Sequence, residues 1–261
     1  PVERRFTLKT DGGPTITLAA DWRDGRGGPV VFLHGLGCSA RSFHGAWRAA
    51  GLAGRALLAI DLPGHGRSDR PAGFSYAMQA QASLVSRLLE QPDMPPAAIV
   101  AHSMGGAVAL LLDDAVLART GLLVSVEGNL VGEDCGIVSR KIVRRDYAAF
   151  RARLMPRLRE GFNALGEGYA DIDTADPLAL YRSAESLVRW SDSGALLARF
   201  LALPVPRHYV HGSDNGDAAV LAHLPGTPCH AIAGSGHFPM NDNPRDFYAL
   251  LARLLGSILP A

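Results

Sequence analysis

The sequence predicts an α/β fold, a mainly parallel sheet with helices on both faces, and three observations carry that prediction. Short continuous apolar runs at 29–33, 56–60, 97–101 and 122–126 alternate with segments of helical length. Apolar runs without alternation are the mark of strands buried on both faces, as parallel strands between two helix layers are. Each run closes on glycine or polar residues, and ligands of such sheets bind beyond the carboxyl ends of the strands, where those closing residues fall. The alternation then stops between about 130 and 204, where the composition turns helical and rich in arginine. This stretch is expected to be a helical insertion over the same sheet edge.

Taken in order, residues 2–9 and 15–21 alternate apolar and polar side chains around Asp11-Gly12-Gly13-Pro14, predicting an antiparallel hairpin at the sheet edge. The strand at 29–33 ends in His34-Gly35-Leu36-Gly37, and a helix is expected over about 41–51. The strand at 56–60 ends in Asp61-Leu62-Pro63-Gly64-His65-Gly66-Arg67-Ser68-Asp69, and 77–90 reads as a helix. The strand at 97–101 runs into His102-Ser103-Met104-Gly105-Gly106 and a further helix, and the strand at 122–126 ends in Glu127-Gly128-Asn129. After the insertion come strands at 208–211 and 230–233 and an amphipathic helix over 245–258. The division is therefore a core of 1–129 with 205–261, and an inserted helical unit of 130–204.

Composition narrows the classes of function. A chain of 261 residues, 48% hydrophobic and 20% charged, can bury one sizeable core. Its 26 basic and 25 acidic residues leave a formal charge of +1, so neither nucleic acid nor an anionic membrane is expected as a partner. Cys38, Cys135 and Cys229 are widely spaced and odd in number, which speaks against a disulfide framework or a zinc site and for a reducing cytoplasm. No apolar run has the length to span a bilayer, and Pro1-Val2-Glu3-Arg4-Arg5 lacks the apolar stretch of a secretory signal.

The chemistry gathers at the strand ends. Ser103 lies between an apolar run and a helical run, at a sharp turn that projects its hydroxyl away from the sheet. The positions two before and two after it must be small, because strand and helix backbones pass close together there. Ala101 and Gly105 meet that demand, although glycine is usual at the first place. A serine nucleophile needs a base, an acid to orient the base, and donors for the oxyanion. Of nine histidines, His237 in Gly234-Ser235-Gly236-His237-Phe238-Pro239 lies past the last strand in a glycine-rich loop that brings an imidazole over the sheet edge. His102 has a packing role, since side chains adjacent at an elbow point apart. His34 braces its loop and His65 its own turn, and the other five belong to core or surface. The oxyanion donors are the amide of Met104, at the positive end of a helix, and the amide of Leu36, in a loop that glycines bring close to a ligand.

These pieces together resemble the α/β-hydrolase superfamily. His34-Gly35-Leu36-Gly37, Asp61 through Ser68, His102-Ser103-Met104-Gly105-Gly106 and Gly236-His237-Phe238 occur in the family's order and cover nearly the whole chain outside the insertion. The resemblance implies a serine, acid, histidine order, an eight-stranded sheet and a helical cap inserted after the sixth strand. The family's usual acid is an aspartate three places beyond a glycine after the seventh strand, but here that place holds Asn215, with Asp214 one residue early. A second family position lies at the end of the sixth strand, and Glu127 occupies it. Glu127 is favoured over Asp214, because a carboxylate following buried apolar residues is costly unless paired. A losing Asp214 would cap the next short helix.

The resemblance implies a cofactor-independent serine hydrolase that cleaves a small carboxylic ester or lactone through Ser103, His237 and Glu127 and an acyl-enzyme, with no metal. A carbon–carbon bond or thioester hydrolase with the same triad is the alternative, and a ligand receptor on this fold is disfavoured by the intact side chains. In the insertion, Arg140, Lys141, Arg144, Arg145, Arg151, Arg153, Arg157 and Arg159 read as a solvated helix face rather than an anion site. Met155, Phe162, Tyr169 and Trp190 read as core rather than pocket lining, and Cys135 as structural.

Overall fold

The structure, a computed structural model, describes residues 1–257 apart from Asp11, Pro92, Asp93, Pro95 and Glu167. Asp11 of the first turn and residue 258 of the closing helix, both part of the sequence reading, lie outside the described residues. β1 (Val2–Lys9) and β2 (Thr15–Arg23) form the expected antiparallel hairpin, with Val2 opposite Trp22 and Lys9 opposite Thr15. β2 also pairs antiparallel with β4 (Arg55–Ile60), which carries the hairpin on the sheet.

All other pairings are parallel, joining β3 (Arg26–Leu33), β4, β5 (Ala98–His102), β6 (Leu123–Val126), β7 (Arg207–Gly212) and β8 (Cys229–Ile232). The order across the sheet is β1-β2-β4-β3-β5-β6-β7-β8. The eight-stranded, mainly parallel α/β sheet implied by the resemblance is therefore the one observed.

Alternate residues of each central strand feed the two faces, as the period of two requires. Val31 and Leu33 pack with Leu84 of α1 (Met78–Leu89) and Val108 of α2 (Met104–Leu110), whereas Val30 and Phe32 pack with Phe43 and with the closing helix. The expected helix at 41–51 is instead two tighter turns of 3₁₀ geometry, Ala40–Trp47 and Ala50–Leu52. Serine, histidine and two glycines are poor α-helix formers. The tight turns also bring Gly45 against the Tyr248 ring, where an added Cβ would lie 2.5 Å away.

After β5 and α2 comes α3 (Asp114–Ala118), and between β6 and β7 the described residues contain no strand. A short turn at Gly132–Gly136 leads to α4 (Ser139–Val143), α5 (Tyr147–Ala149), a π-helical turn at Phe150–Leu154, α6 (Met155–Asn163), α7 (Pro177–Asp192) and α8 (Ala195–Ala202). α7 joins this segment to the sheet. Its Leu180 and Ala184 pack in a separate cluster with Ile142, Phe150 and Met155, while Ala179, Leu187 and Val188 belong to the sheet's own core. The chain closes with α9 (Pro239–Asp242) and α10 (Pro244–Gly256). Among the described residues no helix is long and apolar enough to cross a membrane.

Candidate active site

Ser103 sits between β5 and α2 with φ 51° and ψ −119°, a backbone conformation that L-residues avoid. Such a residue costs about 1–3 kcal/mol and persists only where its surroundings hold it. Here its N–H donates to the Val126 carbonyl (3.0 Å) and its own carbonyl accepts from Gly106 N–H (2.8 Å). Gly105 is obligatory in this turn, because an added Cβ would lie 2.4 Å from the Leu33 carbonyl oxygen.

The loop after β3 lies against the same turn: a Cβ on Gly35 would stand 3.0 Å from His102 Nδ1 and 3.2 Å from Ser103 Cβ. His34 braces that loop, its Nδ1–H donating to the Gly35 carbonyl (2.8 Å) and its Nε2 accepting from Leu62 N–H (2.9 Å). Complete burial lowers its pKa to about 4, so the ring stays neutral and keeps this tautomer.

His237 follows β8 and is held over the sheet edge by its carbonyl, which accepts from His102 Nε2–H (2.8 Å). Its Nδ1–H donates to Glu127 Oε2 at 3.4 Å. Glu127, at the end of β6, has φ 47° and anchors its own N–H on the Val210 carbonyl (2.9 Å). Its carboxylate is fixed from β7: Oε1 accepts from Gly212 N–H (2.8 Å) and Oε2 from Asn215 Nδ2 (3.1 Å). Asp214 is exposed; its N–H donates to the Ser235 carbonyl (3.0 Å) and its Oδ1 accepts from Ser213 Oγ (3.2 Å). Of the two carboxylates, the fold thus brings Glu127 to His237. Asp214 caps no helix through its side chain.

Ser103 and His237 line one cavity of about 70 Å³ with Leu36, Asn129, Asp134 and Phe162. That volume holds about five waters or a short acyl chain. Ser103 Oγ donates to Asn129 Oδ1 (3.3 Å), and Asn129 Nδ2 in turn reaches Cys135 Sγ (3.7 Å). Met104, whose amide follows the serine, opens α2. A larger surface hollow of about 590 Å³, near Arg41 and Arg48, contains none of these side chains.

Residues 30–250 match the model of the Alpha/beta hydrolase family. The chain belongs to that family. An uncharacterized protein of Mycobacterium tuberculosis is 27% identical to this hydrolase over 268 residues, covering 91% of this chain and 78% of its own. The magnesium-chelatase 30 kDa subunit of Rhodobacter capsulatus is 27% identical over 228 residues, covering 81% and 78%. An esterase of Mycobacterium tuberculosis is 26% identical over 255 residues, covering 87% and 82%. Among solved structures, a mutant of the N-acyl homoserine lactonase AidH complexed with N-hexanoyl homoserine lactone superposes with TM-score 0.77 at 18% identity, covering 99% of this chain and 98% of its own. A thermophilic esterase from Thermogutta terrifontis reaches TM-score 0.73 at 19% identity, covering 98% and 99%.

Several side chains of this hydrolase have roles that sequence reasoning missed. Asn215 stands at the family's usual acid position and donates to Glu127; its place three beyond Gly212 was the available signal. Asn129 was read only as the end of a strand, and Phe162, which packs on two buried clusters as expected of a core residue, also lines the cavity. The other readings of the insertion match its packing. Met155 is buried in the helical cluster, Trp190 packs on the sheet's core, and Tyr169 meets Phe238 edge-on at 5.5 Å. Arg140 bonds Asp192 (3.0 Å), Arg159 pairs with Asp173 (3.3 Å), and Arg144, Arg145, Arg151, Arg153 and Arg157 are exposed. All three cysteines are free, and burial raises the Cys135 thiol pKa, which disfavours a thiolate there. Among the described residues no group of three histidine, cysteine or acidic side chains is placed to hold a metal ion.

Proposed function

We propose that this α/β hydrolase is a cofactor-independent serine hydrolase of small carboxylic esters or lactones, with Ser103 as nucleophile, His237 as base and Glu127 as the acid. The observation that carries the proposal is the hydrogen bond from His237 Nδ1–H to Glu127 Oε2, with Ser103 and His237 on the wall of one cavity. Glu127 fixes the imidazole tautomer that leaves Nε2 basic and stabilises the imidazolium formed during reaction. In the resting arrangement the Ser103 hydroxyl points to Asn129. Rotation about its χ1 redirects it to His237 Nε2, which takes the proton as Oγ attacks the carbonyl carbon.

The tetrahedral oxyanion is received by the amides of Leu36 and Met104, aided by the positive end of α2. His237 then protonates the leaving alcohol, and water activated by the same imidazole releases the acid from the acyl-enzyme. Residues 130–204 act as a cap over the cavity, to which Phe162, Ile137 and Val138 contribute. The activities of the esterase relative and of the structurally similar lactonase support the same reaction class, and the three free cysteines suit a reducing cytoplasm.

Hydrolysis of p-nitrophenyl butyrate by the wild type beside Ser103→Ala tests the reading. The expected result is turnover that falls at least ~10³-fold in the variant. Equal turnover by both proteins removes Ser103 from the mechanism.

A further inference from the structure

Among the described residues, Asp134 is the one carboxylate lining the cavity at Ser103, and no lysine or arginine lines that cavity. It lies in the turn at Gly132–Gly136, the first helical turn after β6. Its Oδ2 accepts from the N–H groups of Leu130 (2.8 Å) and Val131 (2.9 Å), so the carboxylate is held in place by backbone. Both bonds end on the same oxygen, and the turn does not use Oδ1. Among the described residues no cation pairs with Asp134, and Arg140, the nearest arginine in sequence, is bonded to the Gly132 carbonyl and to Asp192. The rest of the wall is apolar or neutral, with Leu36, Ile137, Val138, Phe162 and Phe238 prominent. In such surroundings a fixed, unneutralised carboxylate dominates the potential felt by a bound substrate.

We propose that Asp134 sets the charge selectivity of the substrate pocket, favouring acyl groups that carry a hydrogen-bond donor, an ammonium or a hydroxyl, and rejecting those that carry a carboxylate or phosphate. The inference rests on the hydrolase reading above and deepens it. A donor on the acyl chain would find an acceptor already positioned, whereas an anion would meet like charge with no cation to offset it.

The charge on Asp134 is itself adjustable. Burial raises its pKa to about 6, its two backbone donors oppose that shift, and the nearby carboxylates of Glu127 and Glu133 add to it. Tyr209 on β7 and Cys135 on the same turn are also close by, and burial raises both, so they stay neutral through this range. His237, His102 and Cys38 share the cavity wall with Asp134; burial lowers the His102 pKa well below the ordinary value and raises that of Cys38 to about 12, so these two stay neutral as well. Rejection of anions therefore strengthens as pH rises through about 6.

Three methyl esters of matched length test the proposal: methyl pentanoate, monomethyl glutarate and methyl 4-aminobutanoate, followed by acid release at constant pH. Comparing kcat/KM between esters cancels the pH dependence of the catalytic steps that all three share. The wild type is expected to disfavour the glutarate relative to the pentanoate by about 10-fold or more at pH 7.5. The disadvantage shrinks from pH 7.5 to 6 in the wild type, a range in which the glutarate's own carboxyl, with a pKa of about 4.3, stays ionised. Asp134→Asn keeps an oxygen for the two amides and is expected to remove the disadvantage and its pH dependence; Asp134→Ser serves the same purpose where Asn destabilises the turn. A role confined to shaping the turn would change all three rates together and leave their ratios alone, which overturns the proposal.

If none of the three esters turns over, the hydrolase reading is judged separately on p-nitrophenyl butyrate, and calorimetric binding of butylammonium and butyrate carries the test. A preference for butylammonium that Asp134→Asn abolishes supports the selectivity. Equal binding of the two ions, or binding of neither, overturns it.

Discussion

Glu127 and Asp214 show how little sequence distance says about which carboxylate serves a histidine. Glu127 is 85 residues from Gly212 and 110 from His237, yet its two oxygens bond both, with Asn215 as a third donor. Asp214 is next to Asn215 and faces outward. Glu127→Gln is expected to lower kcat for an ester about 10²–10⁴-fold, because the amide cannot stabilise the imidazolium. Asp214→Asn is expected to stay within about 2-fold of wild type, and a larger loss in Asp214→Asn than in Glu127→Gln reverses the acid assignment. Asn215→Ala removes one of the donors that orient Glu127, so steady-state kinetics are expected to show a smaller fall in kcat with KM unchanged.

The junction of β5 with α2 depends on two backbones passing closely, and that closeness is set by Gly105. Placing a methyl 2.4 Å from the Leu33 carbonyl in Gly105→Ala forces β3 and α2 apart. A loss of about 1–3 kcal/mol is expected, read as a lower urea midpoint, together with reduced turnover because the same turn aims Ser103. α7 ties the helical segment to the sheet, and its first turn is capped by Asp176 Oδ1, which accepts from Leu178 N–H and Ala179 N–H, both at 2.9 Å. Asp176→Ala is expected to cost about 1 kcal/mol in the same measurement. A midpoint unchanged in that variant would mean the helix is held by packing alone.

Stability against pH is the sum of buried groups spread through the fold. His34 and His65 are fully buried and neutral, with burial lowering their pKa values to about 4 and about 3 from an ordinary 6.5. Unfolding frees both to bind protons, so their contribution is present above pH 6.5 and is lost as pH falls from there towards 4 and below. Asp134 has the opposite sign: its folded pKa, about 6, lies above the ordinary 3.8, so its contribution is present below 3.8 and is lost as pH rises through 6. The histidines prevail by number, and urea midpoints are expected to rise from pH 4 to 6.5. Asp134→Asn removes the opposing contribution and is expected to steepen that rise; a flatter curve contradicts the sign assigned to Asp134.

Much of the fold was legible in linear order. Continuous apolar runs announce strands buried on both faces, glycines mark where backbones must nearly touch, and a serine between Ala101 and Gly105 leaves few other turns to make. The hairpin, the parallel sheet, Ser103 and His237 follow from those local demands, because each is enforced within a few residues of where it is read. The 3₁₀ turns at 40–52 escaped notice because their pitch is decided by contact with α10, more than 190 residues further on. Phe162, Asn129 and Asp134 escaped for the same reason: a side chain lines a cavity only when distant segments enclose it. By itself the sequence determined the sheet, the strand-to-helix turn at Ser103 and the place of His237 past the last strand. The sequence favoured Glu127 over Asp214, but only the tertiary structure brought the Glu127 carboxylate to His237 and put Asp134 on the pocket wall, since both depend on where strand ends meet in space.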